Sequence, residues 1–170
     1  YSTNNLYHHN VMYNIGSPNL GWTACVMLPN CANVKMYNNT MVRSRTGVRG
    51  WAGGSGQLVI NNIISNMWEY GIDTLDVASI TASHNLFYGT TTWHGTYVPL
   101  GLGEFSADPL FVNAAAYNYK LQCGSPAINA GTNVGLTYTG SAPDLGAYET
   151  TFAQQWISTN LGPTSTSTTV

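Results

Sequence analysis

Three arginines, Arg43, Arg45 and Arg49, crowd one stretch of the chain, and Trp51 follows them directly. Further along, Trp68-Glu69-Tyr70 is followed closely by Asp73. The fork of a guanidinium holds a carboxylate or a pair of hydroxyls, and an aromatic ring stacks on the apolar C–H face of a pyranose. Arg43, Arg45, Trp51, Trp68, Glu69 and Tyr70 are therefore a candidate carbohydrate-binding face, with a polysaccharide as the implied partner. The same residues also suit an ordinary surface. An exposed Arg–Glu pair is worth under about 1 kcal/mol, and an outward Trp can simply cover the backbone.

Other residues that could do chemistry have a structural reading beside the chemical one. His8 and His9 titrate near neutrality, but His9 and His84 stand where other copies of a repeat carry Asn38 and Asn61. Asn38-Asn39-Thr40 fits an N-glycosylation pattern, and its place inside that repeat argues for burial instead. Three cysteines leave one over. Cys25 and Cys31 are close enough to close a small loop in an oxidising setting, or Cys25 is a small inward residue equivalent to Val48 and Ile72. Cys123 is expected to be buried. No paired Cys or His spacing supports a metal site.

The elements that would position these residues are read from a repeat. Leu6–Tyr13, Asn33–Val42, Gln57–Ser65 and Ile80–Tyr88 share one shape: a β-prone run, an Asn, then a second apolar run. The Asn recurs at positions 10, 39, 62 and 85, in steps of 29, 23 and 23 residues. Such a period marks a solenoid whose copies bury their apolar sides by stacking. Asn10, Asn39, Asn62 and Asn85 should form a ladder of amides along the axis, as in other stacked β structures. Met12, Met41, Ile64 and Phe87 should stack as an interior column. A second marker recurs as Ala24-Cys25, Gly47-Val48 and Gly71-Ile72. The fold expected is all-β, a parallel β-helix of about 23 residues per coil. In that stack, simple offset counting puts Arg45 beside Trp68 and Thr46 beside Glu69, about 4.8 Å apart.

Composition narrows the function classes. Charged residues make up only 7% of the 170, too few for a coiled coil or a helical domain with charged faces. Five basic residues and a net charge of −2 give no electrostatic footprint for nucleic acid or anionic lipid. No apolar run is long enough to span a membrane.

In chain order, residues 1–15 read like the middle of a coil. Further coils, or another chain, are therefore expected to cover that end, since an open coil exposes core and strand edges. With Tyr at position 1 and no initiator Met or signal peptide, a processed or truncated chain is expected. The stretch 16–22 reads as a loop that lengthens the first step. After Tyr88 the repeat breaks, and 90–105 reads as an excursion before a final coil. Residues 1–150 are expected to be coils including the terminal rungs, 151–161 a capping segment in which Phe152, Trp156 and Ile157 dock, and 162–170 a Ser/Thr-rich linker or tail. Such a tail suits an exported protein with further chain or domains beyond it.

The closing runs Ala107-Asp108-Pro109-Leu110-Phe111-Val112-Asn113, Tyr119–Gly131 and Pro143–Glu149 resemble the C-terminal end of secreted right-handed parallel β-helix proteins, the group that includes polysaccharide lyases of the chondroitinase-B and alginate-lyase type. The resemblance implies a right-handed helix, an extracellular or cell-surface location and a polysaccharide partner. For an enzyme of that group it implies a lyase or glycoside hydrolase, with Ca²⁺ or Arg neutralising a uronate. The group's Asn-Lys-Ser catalytic context is missing: Lys35 lies elsewhere, and no Asp/Glu cluster suits calcium. No catalytic residue transfers, so catalytic rungs would lie upstream. The competing class is a structural surface protein, such as an adhesin or fibre subunit, self-assembling through open ends.

Overall fold

The computed structural model describes residues 3–16, 19, 23–51, 53–75 and 80–151. The expected capping segment and tail lie outside them, apart from Thr151, as does much of the 16–22 loop. Successive coils contribute three short strands each: β1 (Leu6–His8), β2 (Val11–Tyr13) and β3 (Ala24–Pro29); β4 (Lys35–Tyr37), β5 (Thr40–Val42) and β6 (Thr46–Trp51); β7 (Gln57–Ile60), β8 (Ile63–Ser65) and β9 (Tyr70–Thr74); β10 (Ile80–Ser83), β11 (Leu86–Tyr88) and β12 (Thr92–His94). They stack into three parallel sheets, ordered β1-β4-β7-β10, β2-β5-β8-β11 and β3-β6-β9-β12, and β13 (Phe105–Ser106) adds to β11. The fold is a parallel β-solenoid. Among the described residues no helix is long and apolar enough to cross a membrane.

The Asn ladder holds the stack together. Asn39 Oδ1 accepts the backbone N–H and Nδ2 of Asn10, at 3.1 and 3.0 Å. Asn62 does the same for Asn39, at 2.9 and 3.1 Å, and Asn85 for Asn62, at 2.9 and 3.0 Å. A buried amide is tolerated because each of these groups is paired. The left-handed residue that turns the corner is the one before each ladder Asn: His9, Asn38, Asn61 and His84 all have φ between 49 and 61°. Asn38, Asn39 and Thr40 are buried, which leaves no room for a glycan. Met12, Met41, Ile64 and Phe87 are in register as the interior column.

Three expectations are corrected. Val26, not Cys25, is level with Val48 and Ile72, because β3 pairs with β6 one residue earlier than the 24-to-47 step implies, Ala24 facing Thr46 rather than Gly47. The cysteines are reduced thiols; Cys31 Sγ turns to Pro29 O at 3.3 Å, and Cys123 is exposed in a turn. The stretch after Tyr88 does not break the repeat at once, although the expected excursion does lead back to the stack at β13. It supplies β12, and then folds across the end of the core, with Val98 joining the core cluster and Leu102 O accepting the N–H of His84 at 2.8 Å. Glu104 ends the ladder, its buried carboxylate accepting Asn85 Nδ2 at 2.7 Å and lying 3.1 Å from His94 Nε2.

The closing motifs do not stack as rungs. Phe111–Asn113 (β14) and Asn118–Leu121 (β15) form their own antiparallel hairpin. The remainder straps back along the outside, where Leu121, Ala127 and Leu145 pack with Ile63 and Leu86. The corner amides anchor this strap: Asn38 Nδ2 donates to Asp144 O and Asn61 Nδ2 to Thr132 O, both at 2.8 Å. Apolar outward positions on β8 and β11 therefore need a cover, and the strap supplies it.

Candidate functional site

The corner between β8 and β9 holds four residues (66–69), and the corner between β5 and β6 only three (43–45). That extra residue changes the local step from 23 to 24, so Thr46 pairs with Tyr70 and Arg49 with Asp73. Glu69 is consequently beside Arg45, not Thr46, and Trp68 beside Ser44, not Arg45, as their backbone hydrogen bonds of 2.9 and 3.0 Å show. The register correction brings the charges into contact. Arg45 grips Glu69 through both arms of its fork, Nε to Oε2 at 2.8 Å and Nη2 to Oε1 at 3.3 Å. Arg49 bridges the two carboxylates, 3.0 Å from Glu69 and 3.0 Å from Asp73.

This Arg45–Glu69–Arg49–Asp73 array lines a groove of about 400 Å³ with Tyr70 beside it and Thr74, Thr96 and Tyr97 at its margin. Arg49 and Asp73 are buried, whereas Glu69 keeps a third of its side chain exposed. The hydrogen bond from Arg45 is the chief cause holding the Glu69 carboxyl below its ordinary range, with Arg49 adding to it. Arg45 is shifted up by the same pair. Glu69 is thus an ionised acceptor at neutral pH and a poor proton donor. Two carboxylates already matched by two guanidiniums also do not make a calcium site, which needs six to eight oxygen ligands. Among the described residues no three His, Cys, Asp or Glu side chains converge as metal ligands.

The rest of the candidate face separates. Arg43 and Trp68 lie in a second groove, of about 440 Å³, between the solenoid and the β14–β15 hairpin, together with Tyr13 and Tyr119. Trp51 ends β6 level with Pro29 and lines neither groove. Sequence reasoning missed Thr96 and Tyr97, which reach the first groove from the segment after β12, and Tyr13 and Tyr119 in the second. Arg49 and Asp73 carried a signal, the same 24-residue step as Arg45 and Glu69. His8, His9, Asp144 and Glu149 serve the fold. His8 and His9 hydrogen-bond to one another through their Nδ1 atoms at 2.8 Å, and burial lowers His9 below its ordinary value. Asp144 accepts the N–H groups of Asn129 and Thr150, and Glu149 those of Asp144 and Thr139.

Compared with known proteins, the chain matches no family model, no curated protein and no solved structure.

Proposed function

We propose that this protein is an extracellular, carbohydrate-directed β-solenoid that binds a polysaccharide along the groove over β6 and β9. The observation that carries this reading is the fixed array of two guanidiniums and two carboxylates beside Tyr70 and Tyr97. Each charge is held by an opposite one, so donor and acceptor directions are set before a ligand arrives, which lowers the ordering cost of binding. Matched charges suit the hydroxyls of an uncharged sugar, and the exposed Tyr97 ring offers a stacking plane. With Glu69 held ionised, the groove favours binding over acid catalysis. A lyase or hydrolase activity would belong to coils outside this chain, and the extracellular setting rests on the Ser/Thr-rich C-terminal sequence.

Affinity electrophoresis through a panel of neutral polysaccharides tests the reading. At least one should retard the chain, and Tyr97→Ala or Glu69→Gln should weaken that retardation about five- to tenfold, the loss of one stacking or charge-assisted contact. No retardation by any member, or retardation unchanged in both variants, removes it.

One observation favours the structural reading as well. The coil of β1, β2 and β3 exposes Leu6, Tyr7, Val11 and Met27 and has no strand on its outer side among the described residues, while the other end is closed by Glu104 and Val98. Assembly through one end, rather than both, would give discrete complexes instead of fibres. Sedimentation that stays monomeric at high concentration would refute assembly of this chain with itself.

A further inference from the structure

We propose that the second groove binds an oxyanion carried on a sugar ring, Arg43 and Tyr119 holding the anion and Trp68 meeting the ring. The first observation is backbone strain. Arg43 turns its corner in the left-handed region, with φ 59°, where the neighbouring coils use Asn14, Asn66 and Gly89. Asn and Gly tolerate that conformation, and a long side chain does not gain from it. Leu110 and Tyr117 carry the same strain, which clusters at functional sites, so the Arg43 side chain decides.

The side chain supports this. Arg45 and Arg49 are matched to carboxylates, whereas the exposed Arg43 has only a long hydrogen bond to Tyr13 Oη, at 3.4 Å, and no carboxylate within ion-pair reach among the described residues. Tyr119 is the independent observation. It is 2% exposed, it lines the groove, and its hydroxyl is buried with no hydrogen-bond partner. A buried orphan hydroxyl costs about 1–3 kcal/mol, which an acceptor in the groove would recover. Burial, with Tyr13 and Tyr117 close by, pushes the Tyr119 pKa up to about 12, so the group keeps its proton and can donate. Both groups line the groove and are donors, and the matching ligand atom is an anionic oxygen.

The walls specify what carries the anion. Trp68 is 39% exposed and lines the same groove. Tyr13 lines it too, held edge-on by Tyr117 at 4.9 Å between ring centroids. A bare anion would leave these rings unused, whereas a pyranose carrying a carboxylate or sulfate uses both. The sugar ring in this inference rests on the carbohydrate reading above; the anion site stands on Arg43 and Tyr119.

The test follows the Trp68 indole N–H by NMR, assigned with Trp68→Phe, while the full chain is titrated with glucuronate, glucose 6-sulfate, glucose and acetate. Glucuronate or glucose 6-sulfate should bind, and the stronger of the two identifies the anion. Glucose and acetate should be at least about tenfold weaker, the loss of one charge-assisted contact or of the ring. Arg43→Asn should lose at least about tenfold in affinity while its melting temperature stays or rises, because Asn suits the corner. Tyr119→Phe should weaken binding several-fold without lowering stability. Lys35→Ala, which removes a charge on another sheet, should change nothing. The proposal falls if neither anionic sugar binds, if acetate binds as well as glucuronate, if Arg43→Asn or Tyr119→Phe binds like the parent, or if Lys35→Ala weakens binding as much as Arg43→Asn. These outcomes leave the neutral-polysaccharide groove untouched, since that is read through Tyr97 and Glu69.

Discussion

Replacing Asn62 by Ala should be among the most damaging single changes in the chain, although it removes no apolar surface. Asn62 is fully buried in the middle of the ladder. Its Oδ1 accepts the Asn39 backbone N–H at 2.9 Å and Asn39 Nδ2 at 3.1 Å. Its Nδ2 donates to Met36 O, Ile60 O and Asn85 Oδ1, at 2.9–3.0 Å. Alanine removes these bonds and leaves the Asn39 N–H, at a buried position, without the acceptor that satisfied it. One orphaned buried donor costs about 1–3 kcal/mol, and each further lost bond about 0.5–1.5 kcal/mol. Competition among the three Nδ2 acceptors for two protons trims that sum, so about 4 kcal/mol is expected, a large part of the roughly 5–15 kcal/mol that holds a domain together. Asn10→Ala is the internal control. Asn10 carries the same ladder bonds on one side only and is exposed, so water replaces its lost partners and the cost should stay near about 1 kcal/mol. Urea unfolding followed by far-UV circular dichroism reads both variants, with a shift in midpoint at constant slope as the signature. Equal costs for the two substitutions would refute the ladder as a source of stability.

Two further outcomes follow from local geometry. Gly146 has φ 88°, and a Cβ there would lie 2.7 Å from Ile63 Cδ1 and 2.7 Å from Thr40 Oγ1. Gly146→Ala should therefore destabilise by about 2–3 kcal/mol in thermal unfolding, against about 1 kcal/mol for Gly135→Ala, whose φ is 84° but whose Cβ would meet nothing within 4 Å. Equal losses would show that the strap is not seated as described. For the charged array, a Glu69 carboxyl held below its ordinary 4.5 contributes stability above that value and loses it as pH falls through the depressed one. Glu69→Gln should flatten the acid limb of the stability–pH curve in that window and leave its shape above pH 6 unchanged; a parallel curve would refute the coupling.

The period was legible because each coil repeats one set of backbone demands at the same places. A ladder amide is needed at Asn10, Asn39, Asn62 and Asn85, and a left-handed turn one residue earlier, which Asn or His meets with little strain. Both demands restrict residue type strongly enough to leave a pattern in one sequence. The closing segment obeys no such repeat. Asn38 and Asn61 were readable as corner residues, but that their side chains would anchor residues 132 and 144 was not, because those contacts join positions 71 and 106 residues apart. Motifs at the end of the chain therefore read as more coil, when their apolar residues serve Ile63 and Leu86 from outside.

The candidate face shows a sharper limit of the same kind. Arg43 and Arg45 are two residues apart, and Trp68 and Glu69 are neighbours, yet each pair divides between two grooves. The cause is the corner itself: Arg43 turns the chain in the left-handed region, so side chains on either side of it leave in different directions. One extra residue in the next corner then moves Glu69 onto Arg45 and Trp68 onto Ser44. A constant step of 23 would have set Glu69 against Thr46 and left its carboxylate without the bidentate partner it has. Arg43 keeps the 23-residue step that Val42 and Ser65 set, and its corner neighbours Asn14 and Asn66 bring no carboxylate, which is why the two grooves differ in charge. Corner length at Glu69 and uncharged neighbours at Arg43 thus separate a neutral, self-matched array from a groove of donors, and the two are expected to select different sugars.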